Sequence, residues 1–113
     1  MSSTITDILN AIKDPSLSAA KSELIDLVST AQGDSQAFIQ SNANQLQEWL
    51  DDVKSQQMSQ EEFDELVAAQ KIVAEDFVLR QGEETQERTE QLTVHILELA
   101  AEKIVPVLIV AAL

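Results

Sequence analysis

His95 is the one imidazole in the chain, and Glu98 and Glu102 follow it at i+3 and i+7 on the same helical face. Three such groups could hold a divalent cation, and an imidazole by itself can form a contact that changes charge near neutral pH. The order is not the Glu-x-x-His of di-iron bundles, no second histidine is present, and the flanking residues are apolar. The spacing therefore points to a packed or interfacial histidine and to no metal. Asp51-Asp52 and Glu61-Glu62 are sequence neighbours, and on a helix such pairs diverge instead of converging on a substrate. The chain has no cysteine, which removes thiolate ligands, disulfides and cysteine nucleophiles. Nucleophilic triads, the HExxH helix and phosphate-cradling glycine loops are absent. The expectation is a non-enzyme, with no catalytic residue, metal or cofactor.

The elements that must position these side chains are helical. Across 113 residues only two glycines and two prolines interrupt the chain, and 44% of it is hydrophobic. Alanine, leucine, glutamine and glutamate dominate, and these lose least on entering a helix. Twenty carboxylates stand against seven Lys and Arg, a formal net charge of −13. Such a chain is repelled by nucleic-acid phosphates and anionic headgroups, so no nucleic-acid partner is expected and any charge-steered partner is basic. The first residues, Met1 to Asp14, contain no basic region or long apolar core of the Sec type. A cytoplasmic location is the default expectation, with signal-less export left open.

Ile5, Ile8, Leu9 and Ile12 form one apolar stripe at i, i+3, i+4 and i+7, which predicts a short helix over about 4–13 capped by Thr4. Asp14-Pro15 closes it and opens the next element. Helical spacing then continues over about 16–56. Gly33-Asp34-Ser35 is readable as a C-cap followed by a new N-cap, or as a tolerated glycine in one helix; continuity is the favoured reading. The sharpest local signal is Ser59 with Glu62, a capping box, preceded by Met58 as a staple for Phe63. It starts a third helix over about 59–105, followed by an apolar segment over 104–113 in which Pro106 argues against a simple helix.

Folding the chain back at Met58 pairs Phe38 with Phe77, Trp49 with Leu66, Leu46 with Ala69 and Gly33 with Gly82. The expected fold class is thus all-α, a long antiparallel hairpin with a short N-terminal amphipathic helix. Phe38, Leu46, Trp49, Val53, Phe63, Leu66, Val73 and Phe77 would form the hairpin core. The far halves match badly, because Leu24, Leu27 and Val28 would face the polar region around Glu87, Arg88 and Gln91. Arms of about 40 residues would be about 60 Å long and bury too little. Either the arms bend and the N-terminal helix fills the gap, or a second copy completes a helical bundle, the favoured outcome.

The interface expected for that homo-oligomer is Ile5, Ile8, Leu9, Ile12, Leu92, Ile96, Leu99, Ile104, Val107 and Leu108. The apolar tail is too short to cross a bilayer, and extending it back to Leu92 takes in Glu98, Glu102 and Lys103. Trp49 near the tip of a chain this long resembles small secreted helical hairpins with a Trp-x-Gly tip. Trp49-Leu50-Asp51 lacks that glycine and the chain lacks tyrosine, so no family is assigned. Three functions follow as expectations. One is a self-associating structural or protein-interaction component acting through its apolar ends. The second is a membrane-active component that inserts its C-terminal segment, and the third is an acidic binding module of immunity or inhibitor type for a basic partner.

Overall fold

Gly33 closes one helix and Gly82 opens another, and these two breaks decide the architecture. The computed structural model describes residues 4–112, the side chains of 85, 111 and 112 excepted; the last position of the expected C-terminal segment lies outside the described residues. Within them the chain is all-helical. Helix α1 spans Ile5–Leu9, and a 3-10 turn, Pro15–Leu17, leads into α2, Ser18–Gln32. Helix α3 is Ala37–Lys54 and α4 is Gln60–Leu79. Helix α5 runs over 83–112 as one continuous rod containing two π-helical segments, Glu90–Val94 and Ala100–Ile104.

Local chemistry accounts for most of these boundaries. Thr4 Oγ1 accepts the Asp7 amide at 3.2 Å, and Asp14 Oδ1 accepts the Ser16 amide at 2.9 Å. At the start of α4 the Ser59 hydroxyl accepts from the Glu62 N–H at 3.2 Å, and the Glu62 carboxylate accepts from the Ser59 N–H at 3.4 Å. Helix α3 ends in a Schellman-type turn. Gln56 adopts φ 66°, the Gln57 N–H bonds Asp52 O at 2.7 Å, and the Gln56 N–H bonds Val53 O at 3.1 Å.

The first expected arm is therefore two helices, and so is the second. Gly33 caps α2, and Asp34 Oδ1 accepts the Gln36 amide at 2.7 Å in an Asx turn that redirects the chain into α3. Gly82 is the N-cap of α5, and the Gln86 side chain ties that turn together, its Nε2 donating to Val78 O and Gln81 O, each at 3.0 Å. A hairpin of about 60 Å does not form; the longest dimension is 43 Å. Instead α2 folds back on α3 and both lie along α5, while α1 covers α2 and α3. The bend resolves the mismatch between Leu24 or Val28 and the polar 80–91 stretch, since both now pack in the core.

Helix α5 also departs from expectation, because it passes through Pro106. One line of its buried residues, Thr89, Thr93, Ile96, Ala100, Ile104 and Leu108, makes five steps across 19 residues, longer than the 3.6 of an ideal helix. In a regular α-helix that stripe would drift by about 100° around the axis. The two π segments underwind the rod and keep the stripe on the core. The second lies directly before Pro106, with the Val105 N–H bonded to Ala100 O, so the ring enters a widened turn and its clash with the preceding carbonyls is relieved.

Candidate interaction surface

The apolar ends expected to bind a sister chain are consumed inside this one. Ile5, Ile8, Leu9, Ile12, Ile96, Ile104 and Leu108 are each 3% exposed or less, Leu92 is buried, and Leu99 and Val107 are half-buried against the same core. Helix α1 is held to α3 by the Ile5 N–H, which donates to Gln47 Oε1 at 2.8 Å, and the C-terminal turns of α5 pack on α3. Terminal stripes read as interface from periodicity are thus core, because periodicity reports a buried face without saying what buries it.

The residues expected in the hairpin core divide. Phe38 and Phe77 stack with ring centroids 4.3 Å apart and planes 9° from parallel, as the fold-back pairing expected. Trp49 meets Phe63 edge-on at 6.3 Å, and Leu66, expected opposite Trp49, is half-buried. Leu46, Val53 and Phe63 are fully buried, but the Ala69 expected opposite Leu46 is exposed. Val73 is corrected outright, being 48% exposed while Ala74 takes the inward position. The inward line of α4 runs through Phe63, Val67 and Ala74, and Val73 lies on its flank.

His95 does not join Glu98 and Glu102. Its Nε2 lies 2.8 Å from Glu23 Oε1 on α2, both groups half-exposed, while Glu98 pairs with Lys71 of α4 at 3.2 Å. The His95 contact links α2 to α5 and gains ionic character when the imidazole is protonated. Among the described residues no group of three or more His, Asp or Glu is placed to hold a metal, and no helix is long and apolar enough to cross a membrane.

Periodicity gave no sign of three buried polar residues. Asn42, Thr89 and Thr93 are at most 3% exposed, and neither the Asn42 amide nor either hydroxyl has a hydrogen-bond partner. Beside them the Arg88 guanidinium pairs with Asp34, leaving its Nε unpartnered. Burial pushes the Asp34 carboxyl up, but the Gln36 amide and the Arg88 guanidinium outweigh it and hold the group below the usual aspartate value. The Asp14 carboxyl is likewise lowered by the Ser16 hydroxyl and amide.

Among the described residues, three surface depressions are of similar size and open to solvent. One of about 450 Å³ lies at the α1–α2 junction by Lys13 and Lys21, and one of about 490 Å³ lies at the α3–α4 turn by Met58 and Ile109. The third, about 440 Å³, is lined by Leu27, Glu90, Gln91 and His95. Large apolar side chains are exposed in one concentration. Ile72 is 67%, Val73 48% and Leu79 82% exposed, all on α4; Val110 is a separate fourth. Helix α4 carries six carboxylates and one lysine, and that lysine is the one paired with Glu98. Arg80, at its C-cap, pairs with Asp76 at 3.2 Å.

No known family model matches the chain, and neither a curated protein nor a solved structure is similar to it.

Proposed function

We propose that this chain is a non-enzymatic acidic interaction module whose partner is a positively charged protein. The observation that carries the reading is the imbalance of exposed charge. Of twenty carboxylates only Asp34, Asp76 and Glu98 meet an Arg or Lys among the described residues, with Glu23 on the histidine. A surface of this sign speeds encounter with cations and repels phosphates, anionic lipids and further copies of itself. Self-association through the terminal stripes is less well supported, because those residues already cover one another within one chain. Membrane insertion of the C-terminal segment would likewise require Ile104 and Leu108 to leave the core.

The test is calorimetry against a set of folded basic proteins and cationic peptides, with molar mass measured in parallel by light scattering. Saturable complexes weakened at least tenfold between about 50 and 500 mM NaCl are expected. Binding to none of them, or binding indifferent to salt, removes the reading. A discrete multiple of the 12.4 kDa chain would return self-assembly to first place.

A further inference from the structure

Resting on the acidic-module reading, we infer that the outer face of α4 is the docking surface and that its partner is a cationic amphipathic helix. On a helical wheel Ile72 and Leu79 lie within about 20° of each other and about 140–180° from Phe63 and Ala74, the residues that anchor α4 to the core. They point directly away from the protein, about 10.5 Å apart along the axis. Nothing in the fold requires apolar groups there, and two such side chains in line are the spacing with which one helix reads another. The exposed Ala68 lies between Glu65 and Ile72 on the same side and gives a partner helix room to approach.

The charges identify the occupant. Glu61 and Glu65 fall within about 40° of the Ile72–Leu79 line, and Asp64 and Glu75 border it, all of them exposed. The two cations of the region, Lys71 and Arg80, are already engaged by Glu98 and Asp76. A second copy docked on this face would set carboxylates against carboxylates, whereas an apolar ridge flanked by Lys or Arg satisfies both the two anchors and the acidic border. An anionic lipid surface meets the same repulsion as a second copy.

The experiment uses the full chain and a peptide of about 18 residues, five helical turns of Ala, Leu and Lys with the leucines on one stripe and lysines flanking it. Its control has the same composition in scrambled order. Binding is followed by fluorescence anisotropy and mapped by amide NMR shifts, for the natural chain, Ile72→Ser and Leu79→Ser. Circular dichroism checks folding, which substitution at such exposed sites leaves intact. The expected result is amphipathic-peptide binding at least tenfold tighter than the scrambled one, weakened at least tenfold by either variant, with shifts along α4. Equal binding of both peptides, untouched by the variants, overturns the α4 inference and leaves the acidic-module reading standing. If neither peptide binds, the α4 inference falls, while the acidic-module reading is decided by the calorimetry against folded basic proteins. A doubled molar mass that Leu79→Ser returns to monomer makes the occupant a second copy, and binding to neutral phosphatidylcholine vesicles that Leu79→Ser abolishes makes it lipid; either overturns the inference.

Discussion

The two halves of α5 are packed by the same neighbours, but only one of them carries polar groups into the core. Its C-terminal half presents Ile104, Val105 and Leu108 to the core, all fully buried. Its N-terminal half also buries Leu92, Ile96 and Leu97, but sets among them Thr89 and Thr93, equally buried and with unpartnered hydroxyls, beside the Arg88–Asp34 pair. Burying apolar groups is favourable wherever they fit, while a buried polar group without a partner costs about 1–3 kcal/mol. Both halves therefore bury apolar surface, but in the N-terminal half the unpartnered hydroxyls offset part of what Leu92, Ile96 and Leu97 contribute. The same contrast separates Asn42 from Leu46 and Leu50 one and two turns further along α3.

That comparison is broken most directly by removing side chain from the apolar half. Ile104→Ala should lower stability by about 3 kcal/mol in chemical denaturation, through lost transfer energy and the cavity left behind. A loss below about 1 kcal/mol would mean that the C-terminal half is not anchored as described. Substitution of an unpartnered buried polar group should have the opposite sign. Asn42→Leu should raise stability by about 2 kcal/mol, because it replaces an unsatisfied amide with an apolar group of similar volume.

The Asp34–Arg88 pair is the exception within the polar half, and its contribution is visible through pH. Asp34→Asn should cost about 1.5 kcal/mol at pH 7, the range of a hydrogen bond to a charged group. Because the folded carboxyl is held below its ordinary value, its stabilisation is present above about pH 3.9 and is lost as pH falls through the folded value. The variant and the natural chain should therefore converge in acid. A gap that persists unchanged at pH 2 would assign the effect to something other than ionisation. Thr93→Val should add about 1 kcal/mol by deleting one unpartnered hydroxyl. Smallest of all, Leu79→Ser on the outward face of α4 should move the midpoint by no more than about 0.5 kcal/mol.

Local signals were legible where the chemistry is local. The Ser59–Glu62 capping box, the Thr4 cap, the Asp14-Pro15 boundary and the Phe38–Phe77 level were all readable, because each depends on residues a few positions apart or on one short turn. Gly33 was read as passable, since a glycine inside a helical pattern costs only about 1 kcal/mol. What tips it is distant. Asp34 finds Arg88 across 54 residues, and Gln40 caps the last turn of α2 by donating to Gln32 O at 2.9 Å. Val73 illustrates a different limit, since an apolar residue on the flank of a stripe can fall to either side until the neighbouring helices choose their angle.

By itself the sequence determined the helical class, the acidic surface, the absence of cysteine chemistry and the local caps, because composition and short-range hydrogen bonding act without reference to partners. Only the tertiary structure decided that the long arms break at Gly33 and Gly82. The same packing consumes the terminal stripes internally, pairs His95 with Glu23 and leaves Ile72 and Leu79 facing solvent. The physical reason is that a hydrophobic period states that a face must be covered, whereas the covering element is chosen by a competition among all faces of the chain at once.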